Sequence, residues 1–225
     1  MTRPAKTWQQ LADLPFAASL TSMPAVLAAG EQYDGVHFDQ AELEGPDGSG
    51  SQFLECALTR LTLTGGRLAQ ARFADVWLND VRLISTGLAR TSWRDVTFTG
   101  AVIAGAEAFG SLLRRVRFDR CKLDSVNFRD CKLTDVTFED CVLRDVDFGS
   151  AKLSKVRFPG STLVGTDFTR VQCKDVDLRG ARLGSADTPG IKAGYDCLGG
   201  TRIDSPQLMT LAPLLASHLG IRVAD

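Results

Sequence analysis

The sequence predicts an all-β solenoid, a parallel β-helix in which the chain coils around a packed interior. Between Val116 and Leu183, the third residue of nearly every successive five is large and apolar, and the first is small or β-branched. This period of five matches neither the 3.6-residue period of an amphipathic helix nor the two-residue alternation of a flat strand. The pattern also repeats many times, as in folds whose units are stable only when stacked.

The central apolar positions carry the clearest signal. They are Phe118, Leu123, Phe128, Leu133, Phe138, Leu143, Phe148, Leu153, Phe158, Leu163 and Phe168, with Leu178 and Leu183 following a break at Cys173. Small residues such as Val116 and Cys121 precede them by two positions. The chain therefore resembles the pentapeptide-repeat family, whose motif is A(D/N)LXX. The resemblance implies a right-handed quadrilateral parallel β-helix with four fives, or twenty residues, in each coil.

A twenty-residue coil predicts which side chains stack, because residues twenty apart lie on the same wall. The predicted core ladders are Phe118, Phe138 and Phe158 on one wall, Phe128, Phe148 and Phe168 on the opposite wall, and Leu123, Leu143 and Leu163 between them. Neighbouring rings would be separated by the strand spacing of roughly 4.8 Å, which gives a dry, close-packed interior.

Three segments are predicted along the chain: an N-terminal cap over residues 1–34, the repeat array over 35–185, and an irregular segment with a helix over 186–225. Trp8, Leu11, Leu14 and Phe16 are expected to close the first coil. The five-residue pattern fails at two segments of the array. Glu44–Gly50 is predicted to loop out or to distort one corner, and at Ala104–Ser111 the small Ala108 leaves room that Phe109 or a neighbouring Phe must fill.

The C-terminal helix is predicted to begin with Ser205 as its N-cap and Pro206 at its first position, to bend at Pro213 and to end at Gly220. Two compatible roles remain open. Its apolar face covers the last coil, or its excess apolar residues form a two-fold homodimer, as the C-terminal segment does in several proteins of the resembling family. The candidate dimer contacts are Leu208, Leu211, Leu214 and Leu215.

Nothing in the sequence has the spacing of an enzyme's active site, a metal site or a cofactor site. Cys56, Cys121, Cys131 and Cys141 fall on small inward positions, where a reduced thiol behaves as a core residue. His37 and His218 are far apart, and catalytic and phosphate-binding motifs are missing. A non-enzymatic protein without metal or cofactor is therefore predicted.

The formal net charge of −1 favours neither nucleic-acid nor membrane binding. Without an apolar signal or a transmembrane run, a cytoplasmic location is expected.

The family resemblance implies a possible partner. Some members bind DNA gyrase or topoisomerase IV, present an acidic rod similar to DNA, and protect the enzyme from inhibitors. Residues 116–185 hold 13 Lys or Arg and 11 Asp or Glu, and the signs partly alternate along the corner column Asp75, Asp95, Arg115, Asp135, Lys155 and Asp175. The candidate acidic partner surface is Asp130, Asp135, Glu139, Asp140, Asp145 and Asp147, interrupted by Arg129, Lys132 and Arg144. A scaffold or assembly module with an unrelated protein partner is the alternative.

Overall fold

The computed structural model describes residues 8–184 and 188–222. The chain coils into a parallel β-solenoid whose strands pair with residues twenty positions away, for example Leu63 with Leu83 and Phe118 with Phe138. A single C-terminal α-helix follows, Ser205–His218. The predicted fold, a parallel β-helix with a short C-terminal helix, is confirmed.

Four walls enclose the interior, and we number them in chain order from Val36. Wall 1 and wall 4 belong to a 14-stranded sheet, wall 2 is an 8-stranded sheet with one strand per coil, and wall 3 is held mostly by single bridges between residues twenty apart.

Strands of wall 1 are Thr21–Ser22, Val36–Asp39, Ala57–Thr59, Trp77–Asn79, Val176–Asp177 and Thr201–Arg202. Strands of wall 4 are Gln32–Asp34, Gln52–Leu54, Arg72–Ala74 and Gln172–Lys174. Longer strands cross from wall 4 into wall 1: Ser92–Thr99, Leu112–Asp119, Lys132–Glu139 and Lys152–Arg157.

Strands of wall 2 are Glu42–Glu44, Thr62–Thr64, Arg82–Ile84, Val102–Ala104, Lys122–Asp124, Val142–Arg144, Thr162–Val164 and Arg182–Leu183. Wall 3 contributes the pair Thr166–Asp167 and Ile191–Ala193. Short 3₁₀ turns lie at Leu11–Asp13, Ala17–Ser19 and Tyr195–Cys197.

The corners have one backbone conformation. Every fifth residue from Gly35 to Gly180 has a left-handed φ, including non-glycine residues such as Arg115 at 53° and Asp135 at 56°. This conformation is disfavoured for residues with a Cβ atom, and Asp tolerates it better than most. The hydrogen bonds between coils therefore hold the chain in a turn that each five-residue unit would not adopt alone.

The predicted ladder residues are buried and stacked. Ring centroids of Phe118 and Phe138 lie 4.8 Å apart, and those of Phe138 and Phe158 lie 5.1 Å apart. On wall 3, Phe128 and Phe148 stack at 5.6 Å, and Phe148 and Phe168 lie at 5.4 Å. The two aromatic walls meet edge to face.

Wall 2 fills the space between the aromatic walls. Leu123, Leu143 and Leu163 are paired strand to strand, and all three are fully buried.

The aromatic ladder changes walls partway along the rod. It runs on wall 4 through Tyr33, Phe53, Phe73 and Trp93, crosses through the contact of Trp93 with Phe98 at 5.3 Å, and continues on wall 1. The coil at the crossing therefore contains both Trp93 and Phe98.

That crossing explains the small residue at Ala108. Ala108 is buried, whereas Phe109 points outward and is 40% exposed. Of the two predicted alternatives, Phe109 does not fill the interior, because its position in the five turns it outward, whereas the neighbouring Phe98 and Trp93 are buried in the same coil.

The prediction that Glu44–Gly50 loops out or distorts one corner is wrong. This segment keeps the regular corner and bridges Asp47 to Arg67. Gly48 occupies a central inward position without a side chain, and the space is shared by Leu68 and Leu27, whose Cβ lies 3.6 Å from where a Cβ of Gly48 would be. The glycine marks the place where the N-terminal segment enters the core.

The N-terminal segment packs at two separate places on the solenoid. Leu27 joins the main core, so the stretch beside it covers the end of the first coil. Trp8, Leu14 and Phe16 instead form a separate cluster with Ala57 and Trp77 on the outer face of wall 1. The prediction that Trp8 and Phe16 close the end of the tube is therefore wrong; residues 1–7 of the predicted cap lie outside the described residues.

The array continues past the predicted boundary at residue 185. Thr166 pairs with Ile191 and Val176 with Thr201, both twenty-five residues apart. Pairing from Ile191 onward therefore exceeds the twenty-residue register by five residues, and the walls continue. Since the excess equals one repeat unit, the inward and outward positions keep their phase.

Candidate interaction surfaces

In the part of the chain that the structure describes, the buried cysteines are not reactive groups. Cys56, Cys121, Cys131 and Cys141 are buried free thiols, and the Cys131 thiol donates to the carbonyl oxygen of Ala108 at 3.0 Å. Burial raises the pKa of Cys131 to about 12 and that of Cys56 to about 11. Thiols held in the protonated form are poor nucleophiles and poor metal ligands.

The histidines are also engaged separately. The Nε2 atom of His37 lies 2.8 Å from the hydroxyl of Thr59, and His218 packs near the ring of Tyr195 at 6.0 Å. Within residues 8–184 and 188–222, no group of three or more metal-binding side chains forms. The same described residues contain no helix long and apolar enough to cross a membrane.

The predicted acidic surface does not form one patch. Asp130, Asp135, Asp140 and Asp145 each occupy a left-handed corner residue, and successive corners lie on successive edges of the rod. A step of five residues turns the chain by one wall, so these four carboxylates point in four directions. The prediction of a single surface is wrong because it followed the order of residues in the chain.

Neighbouring bases also neutralise the remaining acids. Arg129 donates to Asp147 at 3.0 Å, and Arg117 pairs with Glu139. Along the predicted corner column, the Arg115 guanidinium donates two hydrogen bonds of 2.6 Å each to the Asp95 carboxylate. Opposite charges paired at such short distances give little net field.

Part of the apolar face of the C-terminal helix packs against the hydrophobic core of the solenoid. Leu211 is 2% exposed and belongs to the core, while Leu214 and Leu215 are partly buried against it. Its N-cap is Asp204, one residue earlier than predicted, in a capping box with Gln207. The Gln207 amide also donates to two carbonyl oxygens of the last coil, including that of Ala181 at 2.7 Å.

Leu211 must therefore be removed from the candidate dimer contacts, since it already covers the coil. Leu208 remains 49% exposed. Three further exposed apolar residues were not among the predicted contacts: Met209, Leu219 and Ile221. Helical spacing alone could not assign them, because the helix is apolar on most of its circumference.

A cationic surface on wall 4 was missed by sequence reasoning. Its outward residues include one Lys or Arg in each of six successive coils: Arg72, Arg94, Arg114, Lys132, Lys152 and Lys174. We call these six residues the basic row. Every fourth five-residue unit lies on wall 4, and the basic residues occupy the second or fourth position of these units. A charge count over all four walls conceals this pattern.

The repeat and the fold together define a parallel β-solenoid built from five-residue units. A profile of the family described as pentapeptide repeat region matches residues 111–187, so this part of the chain carries the family's repeat. No curated protein matches the sequence.

Comparison with solved structures supports the fold through one neighbour with a TM-score above 0.5. QnrB1, described as a plasmid-mediated fluoroquinolone resistance protein, is similar over 89% of this chain and 100% of its own, with 19% identity and a TM-score of 0.54. HetL, a pentapeptide repeat protein involved in heterocyst differentiation regulation in the cyanobacterium Nostoc sp. strain PCC 7120, matches 83% of this chain and 87% of its own, with 18% identity and a TM-score of 0.40. A pentapeptide repeat protein of the Arabidopsis thaliana thylakoid lumen covers 46% of this chain and 76% of its own, with 21% identity and a TM-score of 0.30.

Proposed function

We propose that this chain is a non-enzymatic interaction protein whose rigid walls bind a macromolecular partner. The observation that carries the proposal is the strict register of the walls around a filled interior. Outward side chains are held at fixed positions along the axis, while inward rings such as Phe138 and Phe158 leave no exposed surface. Such a preordered surface loses little conformational freedom when it binds.

For the partner we propose DNA gyrase or topoisomerase IV in the cytoplasm. Support comes from the family resemblance and from the shared fold with a fluoroquinolone resistance protein. Because the acids at Asp130 and Asp140 lie on different corners, recognition would depend on the width and rigidity of the rod more than on an acidic face. Protection would follow from occupation of a site that the enzyme uses for DNA.

A supercoiling assay with purified gyrase tests this partner. We expect the protein to inhibit supercoiling at micromolar concentration or to restore it in the presence of a fluoroquinolone. Lack of inhibition, of protection and of co-purification with either enzyme would refute the topoisomerase proposal. It would leave the alternative, an assembly module with an unrelated protein partner.

We further propose that the protein forms a homodimer through the C-terminal helix. Leu208 and Met209 are 49% and 75% exposed on it, and burying such residues in a two-fold interface is favourable. Leu208→Glu combined with Met209→Glu should convert a dimer into a monomer by light scattering. Leu112→Glu, at a 53% exposed leucine of wall 4, is the matched control. A monomeric wild-type protein would refute the dimer.

A further inference from the structure

Wall 4 presents cations without neighbouring acids on its flat part. From Arg72 to Lys174, the second and fourth residues of each five on wall 4, which point outward, include the basic row and no Asp or Glu. All six side chains of the row are exposed. Within the described ranges 8–184 and 188–222, none of the six makes an ion pair.

The spacing of the row follows from the fold. One cation is carried by each successive coil, and coils are separated by the strand spacing of about 4.8 Å, so the six span roughly 24 Å along the axis. Their positions are fixed by strand register, for example Arg94 beside Arg114 and Lys132 beside Lys152. Like charges so arranged repel one another, and an anionic partner would relieve that repulsion.

The edges of the wall reduce this charge without cancelling it. Toward wall 1 lie the corner residues Glu55, Asp75, Asp95, Asp135 and Asp175, together with Arg115 and Lys155. Asp95 is held by Arg115, and Asp175 lies 3.6 Å from Arg202. Toward wall 3, Arg90 and Arg170 outnumber Asp130. Wall 4 and its two edges therefore remain net positive.

Apolar side chains and shallow grooves lie among the cations. Leu54 and Leu112 are 41% and 53% exposed. One groove is lined by Leu54, Arg72 and Arg94, a second by Leu112, Arg114 and Lys132, and a third by Lys132, Lys152 and Lys174. The wall can therefore contact both anionic and aliphatic groups along one line.

We propose that wall 4 binds an acidic polypeptide segment that also carries aliphatic side chains, lying extended along the basic row. A single-stranded nucleic acid fits less well, because such sites need aromatic side chains on which bases stack, and the outward residues of this wall between Gln52 and Lys174 include none. Exposed leucines beside cations suit alternating acidic and aliphatic residues instead. This inference rests on the proposed interaction role but not on gyrase as the partner.

The test measures binding of a fluorescein-labelled peptide of alternating Glu and Leu, long enough to span the row, by fluorescence anisotropy at low salt. The variant combines Arg94→Glu, Lys132→Glu and Lys152→Glu. The matched control makes the same charge change on wall 2 with Lys122→Glu, Arg144→Glu and Arg182→Glu. We expect at least a tenfold loss of affinity, about 1.4 kcal/mol, in the first variant and less than a twofold loss in the control.

Two further arms identify the ligand. Leu112→Ser should weaken the Glu-Leu peptide while leaving a Glu-Ser peptide unchanged, and raising the salt should weaken both peptides. A triple change to Gln at the three wall 4 positions replaces the Glu variant if that variant loses its far-UV circular dichroism.

The proposal is overturned if the wild-type protein does not bind the Glu-Leu peptide, or if the two triple variants lose affinity equally. It is overturned in favour of nucleic acid if an oligodeoxythymidine binds more tightly than the peptide. Wild-type supercoiling assays report on gyrase separately, so a negative result there leaves the peptide measurements valid.

Discussion

Removing one ring from the centre of the aromatic ladder should destabilise the rod strongly. Phe138 is fully buried. It stacks on Phe118 at 4.8 Å and Phe158 at 5.1 Å, and it meets Phe148 edge to face at 6.3 Å. Phe→Ala substitutions in cores cost about 3–5 kcal/mol, and the cost rises when the site cannot collapse. Hydrogen bonds between coils fix their separation, so we expect Phe138→Ala to cost about 5 kcal/mol.

The measurement is urea unfolding followed by far-UV circular dichroism, with tryptophan fluorescence as a second probe. Trp77 and Trp93 report on the N-terminal half, so a transition that differs between the two probes would show that the halves unfold separately. The matched control is Phe109→Ala, the same substitution at an outward ring, for which we expect a change within about 0.5 kcal/mol. Equal losses in Phe138→Ala and Phe109→Ala, or a loss under about 1 kcal/mol in Phe138→Ala, would refute the packing described here.

Three further changes test the corners, the cap and the buried thiols. Gly160→Ala should cost more than Gly180→Ala by about 1 kcal/mol in the same unfolding assay, because both glycines have a left-handed φ but only at Gly160 does the carboxylate of Asp140 occupy the place of the new Cβ; equal costs would contradict this contact. Gln207→Ala should cost about 2 kcal/mol, since it removes the side-chain hydrogen bonds to the carbonyl groups of Leu178 and Ala181, of which only that of Leu178 keeps a backbone donor, and breaks the capping box; an unchanged urea midpoint would refute its role in closing the coil. Burial raises the pKa of Cys131 from 9.0 to about 12, so its contribution to the free energy of unfolding is complete below pH 9 and is lost as the pH rises toward 12. Cys131→Ala should therefore reduce the fall in stability between pH 9 and pH 11, and an identical fall in both proteins would count against a buried thiol.

The five-residue period was enough to predict the coil and its inward residues, because each unit must bury its central side chain and turn at its fifth residue. The period could not predict which residues fill the interior where an inward position lacks a large side chain. Gly48 looked like part of a loop, and only the folded chain brings Leu27 into that position. The place of Trp8 on the outside of wall 1 was similarly hidden, since its partner Trp77 occupies an outward position that the pattern treats as solvent.

The interaction surfaces were less predictable than the core. Acidic residues adjacent in sequence separate onto different corners, whereas Arg94 and Lys132 share one wall despite nearly forty residues between them. Positions must be read at intervals of twenty to find such surfaces. The helix illustrates a second limit: Leu208 and Leu211 have the same chemistry, but only contact with the last coil buries Leu211.

The crossing of the aromatic ladder between walls has a consequence for how such sequences can change. In the coil that contains Trp93 and Phe98, the inward residue of wall 3 is the small Ala108. The large side chains on walls 4 and 1 are therefore compensated by a small side chain on wall 3. Each coil therefore has a fixed interior volume for its inward side chains. Substitutions at inward positions should therefore covary among residues five, ten or fifteen apart within one layer, and a pair such as Ala108→Leu with Trp93→Leu should be tolerated together where Ala108→Leu alone is not.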